Sequence, residues 1–169
     1  MAGAAILAAV AAAPDLDLII HNHRGPTHSV GAALIAGAVA WIVASSAFAK
    51  VSADESASAA APSPPSPRPR RTSRRDARSW AVAVTLAWAS HVLLDWLSHD
   101  TRPPLGVMAL WPFTHDYYKA AVEVFPAISR RYWLAEFWIY NLEALAVESI
   151  VLGPVAAVAV WWRSGRPHQ

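Results

Sequence analysis

The chain has 169 residues, of which 55% are hydrophobic, nine are Trp and none is Cys. One ordinary domain fits that length, but the apolar excess is beyond what a soluble domain usually carries, so lipid is the expected solvent. The lack of Cys excludes disulfides and thiolate metal ligands, and the net charge of +2 reflects one local basic run, so no nucleic-acid partner is expected.

Residues 1–13 are Ala-rich and apolar but too short to cross a bilayer alone. They would either complete a span with residues 16–20 or enter the membrane only partway. A cleaved signal peptide is not expected, because the basic leading region is missing and cleavage after Ala13 would leave Pro14 at the new terminus. Asp15 and Asp17 follow, then His21, His23 and His28. Residues 30–49 form the first full span by length and composition.

Residues 50–78 begin Ala/Ser-rich, pass through a Pro-rich stretch and end in a run of Arg, a composition with nothing to bury. A disordered linker is expected there, held on the cytoplasmic side by its arginines and attracted to anionic headgroups. Residues 79–98 form a second full span, interrupted by His91 and Asp95. Residues 99–141 carry Trp111, Tyr117, Tyr118, Tyr132, Trp133 and Trp138, the belt composition of a membrane interface, with a short interfacial helix at residues 134–140. The last span is residues 142–162, with Glu148 midway along it, and residues 163–169 return two more arginines to the cytoplasm.

The fold class is therefore all-α: an integral membrane bundle of about four membrane-associated helices plus a short interfacial helix. Its sections are 1–49, 50–78, 79–162 and 163–169, in a multi-pass protein of the cell (inner) membrane. Counting spans puts residues 15–29 and 99–141 together at the outer face, so their polar groups converge.

An ionisable residue at a helix centre in hydrocarbon costs roughly 2.5–3.5 kcal/mol, so His91 and Asp95 need a partner, a cavity or a function. At i and i+4 they share one helix face, and His99 at i+8 continues it if the helix persists. His91 would lie roughly 10 Å below the outer end of that helix. A buried His–Asp hydrogen bond joining helices explains the pair as well as a metal site does. Asp15, Asp17, His23 and His28 tip the balance, since imidazole and carboxylate are the ligands of divalent zinc, manganese or iron. Such a metal could activate water, with Asp17 or Asp100 as general base. Ser29 is not read as a nucleophile, because it does not face its neighbour His28 and no Gly-x-Ser-x-Gly elbow is present. Glu148 would reach the site, pair with a cation or face a wet groove.

Pro14-Asp15-Leu16-Asp17, His23-Arg24-Gly25-Pro26-Thr27-His28-Ser29, His91-Val92-Leu93-Leu94-Asp95 and Leu110-Trp111-Pro112-Phe113, in that order, resemble the YdjM-like family of membrane-bound metal-dependent hydrolases. The resemblance runs from residue 14 to about residue 118, and Glu148 with Leu152-Gly153-Pro154 looks like the family's last helix. It implies Asp15, Asp17, His23, His28, His91 and Asp95 as metal-site residues, with Asp100 and Thr101 extending the site. It also implies a divalent metal, zinc first, and, through distant similarity to zinc-dependent phospholipase C enzymes, phosphate-ester chemistry. The family's further His in a longer first helix has no counterpart among residues 1–13. The expected function is hydrolysis of a lipid or phosphate-ester substrate at the outer face, with membrane lipid as the surrounding partner. The rival is metal or proton transport without hydrolysis, which would need polar residues through the whole membrane depth.

Overall fold

The computed structural model describes residues 2–20, 24–58, 74–101, 103–129 and 131–164. His21 and His23 therefore lie outside the described residues. The structure is helical: α1 (Ala2–Ala12), a 3-10 segment Ala13–Ile20, a 3-10 turn Pro26–His28, α2 (Val30–Ser58), α3 (Arg74–Trp96) and α4 (Glu136–Ser164). No strand occurs among the described residues; the only extended pairings there are isolated bridges. Two compact units divide the chain, Met1–Asp95 with Val107–Tyr118, and Trp96–Gly106 with Lys119–Gln169.

In the first unit, the Ala-rich α1 is a strong helix former until Pro14. Proline lacks an amide hydrogen and crowds the preceding turn, so regular α-helix stops at Ala12 and the chain continues as 3-10 helix through Asp15 and Asp17. Together they give an apolar stretch, Ala2–Ile19, long enough to cross a membrane. Of the two expectations for residues 1–13, a span completed by residues 16–20 is the one this geometry matches. Ser29 closes the next connection as the N-cap of α2: its hydroxyl accepts the Ala32 amide at 2.9 Å and donates to the Pro26 carbonyl at 2.6 Å.

Helix α2 keeps small residues inside and large ones outside. Ala33 is buried, whereas Leu34, Ile35, Trp41, Ile42 and Val43 are exposed. That inversion of the soluble pattern suits lipid, where helices meet through small side chains. Gly37 sits where an added Cβ would collide with Thr85 Oγ1 and lie 3.1 Å from the Ala81 carbonyl, so α2 and α3 approach backbone to backbone.

Among the described residues, three stretches are long and apolar enough to cross a membrane: Ala2–Ile19, Val30–Ala47 and Glu136–Trp162. Residues 79–98 are not among them. Arg74, Arg75, Asp76 and Arg78 occupy the first turns of α3, and His91 and Asp95 lie near its end, lowering its mean hydropathy. The expected linker 50–78 is shortened from both sides, since α2 runs on to Ser58 and α3 begins at Arg74; residues 59–73 lie outside the described residues.

In the second unit α4 is continuous from Glu136, so the expected interfacial helix at 134–140 merges into its first turns. Asn141 ties that start to the preceding chain, accepting the Ser129 amide at 2.9 Å and donating to the Ser129 carbonyl at 3.1 Å. The chain after α3 pairs with residues 124–125, through Val124 N to Leu97 O and His99 N to Phe125 O, both 2.8 Å. Glu123 in this unit is held below the usual carboxylate range by Lys119, whose Nζ lies 2.7 Å away, and then by His99.

Candidate metal centre

Asp15 on the 3-10 segment, His28 at the entry to α2, and His91 and Asp95 on the last turns of α3 each direct one atom to a common point. All four belong to the first unit. The chain directions explain the meeting: α1 and α3 end where α2 begins, so three helix termini share one end.

His28 Nε2 lies 3.0 Å from Asp95 Oδ2, 3.3 Å from His91 Nε2 and 3.8 Å from Asp15 Oδ1. His91 Nε2 lies 3.5 Å from Asp15 Oδ1 and 3.8 Å from Asp95 Oδ2. All four atoms fall within 4.8 Å of one another. A tetrahedral divalent ion with ligand bonds of roughly 2.0–2.1 Å has ligand–ligand edges of about 3.3–3.4 Å, and the measured edges bracket that value.

The opposite edge of His28 fixes its tautomer. Nδ1 is 3.0 Å from Asp17 Oδ2, and that carboxylate also accepts the Thr27 hydroxyl at 2.6 Å. With its proton on Nδ1 facing Asp17, the imidazole presents a lone pair from Nε2, the carboxylate–histidine–metal arrangement. Asp95 Oδ2 is buried, with His28 Nε2 3.0 Å away. Two carboxylate oxygens and two imidazole nitrogens packed this closely call for positive charge between them, a shared proton or a metal ion. The donor set is of the imidazole and carboxylate type that divalent first-row metals take, so the residues fit the implied ion.

Supporting groups surround the cluster. Arg24 Nε lies 3.6 Å from Asp95 Oδ2. Arg24 adopts a left-handed backbone with φ 64°, and its carbonyl accepts the Met108 amide at 3.1 Å. Trp88, one turn before His91 on α3, donates from Nε1 to the Thr27 carbonyl at 2.8 Å, bracing the residue next to His28. Exposure is graded: the His28 side chain is 0% exposed, His91 16%, Asp95 19% and Asp15 46%.

The sequence-based candidates thus separate. Asp15, His28, His91 and Asp95 come together; His23 lies outside the described residues. Asp17 stands one layer out, behind His28, instead of facing the cluster as a base. Asp100 belongs to the second unit, where it accepts the Gly106 amide at 3.1 Å. His99 does not extend the α3 stripe, because the helix ends at Trp96 and His99 turns to Glu123. Glu148 lies on α4 in the second unit and is not among the clustered residues. Trp88 and Arg24 were not singled out as supports. Trp88 had a readable signal, since i and i+3 share a helix face with His91, whereas the left-handed turn at Arg24 carries none.

A family model described as YdjM inner membrane protein matches residues 1–166. No curated protein and no solved structure matches the chain.

Proposed function

The chain belongs to the YdjM inner membrane protein family, a multi-pass protein with three apolar helical stretches, and on that premise we propose that its Asp/His cluster is the metal centre of a membrane-embedded hydrolase. Lipid or phosphate-ester substrates are the class this reading takes, and zinc is the first metal to test. The observation that carries it is the graded exposure of the ligands, three sheltered and one, Asp15, close to half exposed. Structural zinc sites are closed, whereas catalytic ones keep a position open to water or substrate. When bound, a divalent ion would supply Lewis acidity and a water acidified towards neutrality. His28, His91 and Asp95 would hold it. Asp17 keeps the His28 tautomer, and Arg24 keeps Asp95 in place. Asp15, with solvent access, is the carboxylate placed to exchange for substrate and to take a proton from an attacking water. Asp17 and Asp100 are committed elsewhere, to His28 and to the Gly106 amide.

Transport requires polar groups through the membrane depth, and three hydroxyls that a relay could use are turned back onto their own helices. Ser46 donates to Ile42 O, Thr85 to Ala81 O and Ser90 to Ala87 O, at 2.8–3.0 Å. A one-sided site therefore has the better support.

The test uses the full chain in lipid nanodiscs, loaded with zinc or manganese and offered lipid phosphate esters and carboxylic esters. Chelator-sensitive turnover is expected, and Asp15→Asn should keep the metal while slowing turnover by about 10²–10⁴-fold. A metal-loaded protein inert towards every one of these esters overturns the hydrolase.

The same reading places the centre at the outer face and the Arg-rich segment in the cytoplasm. The cysteine-free background makes this checkable. In spheroplasts an impermeant thiol reagent should label Tyr117→Cys, and Ser58→Cys only after permeabilisation. Labelling of Ser58→Cys alone, or of both, reverses or removes that orientation.

A further inference from the structure

The first unit contains an apolar groove of about 850 Å³, walled by α1, α2 and α3 through residues such as Val10, Ile35, Val39, Val43, Trp80 and Val84. We propose that this groove seats one fatty-acyl chain of a phospholipid-type substrate, with the headgroup delivered to the metal centre at the Thr27 end. The proposal rests on the hydrolase reading for the word substrate, but the seat itself is a binding site and can be tested without turnover.

Three features select an acyl chain. The lining is almost wholly hydrocarbon, and Thr27 is its only hydroxyl. That hydroxyl is engaged by Asp17, and the Trp88 indole N–H by the Thr27 carbonyl. Water entering such a groove finds little to bond, whereas a methylene chain loses nothing. Two of the walls, α1 and α2, are also built on stretches apolar enough to cross a membrane, so the medium at the groove's mouth is lipid.

The length agrees. Lining positions on α2 extend from Ala32 to Ala47, about 22 Å at helical rise. One leaflet of hydrocarbon is about 15 Å deep, so an extended fatty-acyl chain is housed entirely, while a long polyprenyl chain laid out straight is not. The volume lies within the roughly 300–1,000 Å³ usual for a small-molecule site.

The groove adjoins the centre through the residues before His28. Pro26 and Thr27 line it, and Thr27 Oγ1 lies 3.1 Å from His28 Nδ1, the ring edge behind the cluster. In this proposal a lipid whose tail fills the groove carries its ester linkage past Thr27 to the Asp/His cluster. A cut at that linkage would leave the tail in the groove and release the headgroup towards the open side.

The experiment uses the full-length protein in nanodiscs containing a trace of phosphatidic acid with a diazirine on its acyl chain, cross-links being mapped by mass spectrometry. Labelling at Val39 and Val43 should saturate and be displaced by unlabelled long-chain phosphatidic acid at least tenfold better than by a short-chain analogue. Labelling at Ile42, which is exposed but does not line the groove, should follow bulk lipid without saturating. Ala36→Trp, which fills the groove, should cut the saturable labelling by about tenfold and leave metal content unchanged. Equal, unsaturable labelling at Val39 and Ile42 in the wild type overturns the seat whether or not Ala36→Trp folds. So does displacement by a polyprenyl phosphate but not by phosphatidic acid. Saturable labelling in a protein that hydrolyses nothing would retain the seat and reject the hydrolase; turnover of esters without saturable labelling would do the reverse.

Discussion

Replacing His28 by alanine is expected to take detergent-purified protein from near-stoichiometric divalent metal to background, with a fall in stability that His91→Ala does not match. His28 is fully buried and works from both ring nitrogens, one aimed at the cluster and one at Asp17. Its removal takes away a ligand and leaves the buried Asp17 carboxylate without its imidazole partner. Breaking a buried pair in that way costs about 3–5 kcal/mol. His91→Ala should lose the metal without taking the partner from a buried charge, so its loss of stability should be smaller, whereas Asp95→Ala also removes the carboxylate 3.6 Å from the largely buried Arg24. Asp17→Asn keeps the volume and weakens only the hydrogen bond that orients His28, for a loss of roughly 10–100-fold in metal affinity. Elemental analysis and chelator competition across this series give the expected order: wild type above Asp17→Asn, with His28→Ala, His91→Ala and Asp95→Ala at background. Equal, negligible metal in all of them would remove the centre altogether.

That series also marks where sequence reasoning stopped. The pairing of His91 with Asp95 was readable because i and i+4 share a face on any α-helix. The meeting of α3's end with α2's start was readable from counting spans, and ligand chemistry brought in Asp15. The difference between Asp15 and Asp17 was not readable. As i and i+2 they share no face on an α-helix, and in the 3-10 segment two residues advance the chain by two-thirds of a turn, so they diverge there too. Only the tertiary structure decides that Asp15 joins the cluster while Asp17 supports His28. His99 failed for another reason: backbone pairing of Leu97 and His99 with residues 124–125 ends the helix, a tertiary preference that no local pattern announces. The apolar excess gave the membrane class at once, yet misjudged which runs are apolar enough to cross. The residues that α3 contributes to the cluster lower its hydropathy, while the Pro-containing start gains enough from residues 16–19 to qualify.

Gly37 and Gly31 carry the second large effect, and they separate two ways in which a missing side chain supports the centre. At Gly37 an added Cβ meets the Thr85 hydroxyl, a side-chain atom, with the Ala81 carbonyl at 3.1 Å behind it. Gly37→Ala should cost about 1–3 kcal/mol as overpacking and should pry α2 from α3, widening the distance between His28 and His91. Thr85→Ala removes the colliding oxygen, so the double variant should regain most of the lost stability and metal, a coupling visible in a double-mutant cycle. At Gly31 the obstruction is the Trp111 carbonyl, with Pro112 Cδ at 2.9 Å, and no side-chain truncation removes a backbone oxygen. Gly31→Ala must therefore displace the segment that Val30 holds through Ala109 at 2.9 Å and that Met108 fastens to Arg24 at 3.1 Å. Because Arg24 braces Asp95, this variant should lose metal affinity as well as thermal stability, and Trp111→Ala should not rescue it. Thermal unfolding and metal competition on the four single and two double variants check both statements. Rescue of Gly31→Ala by Trp111→Ala, or failure of Thr85→Ala to restore Gly37→Ala, would mean that the helix spacing is set elsewhere than at these two glycines.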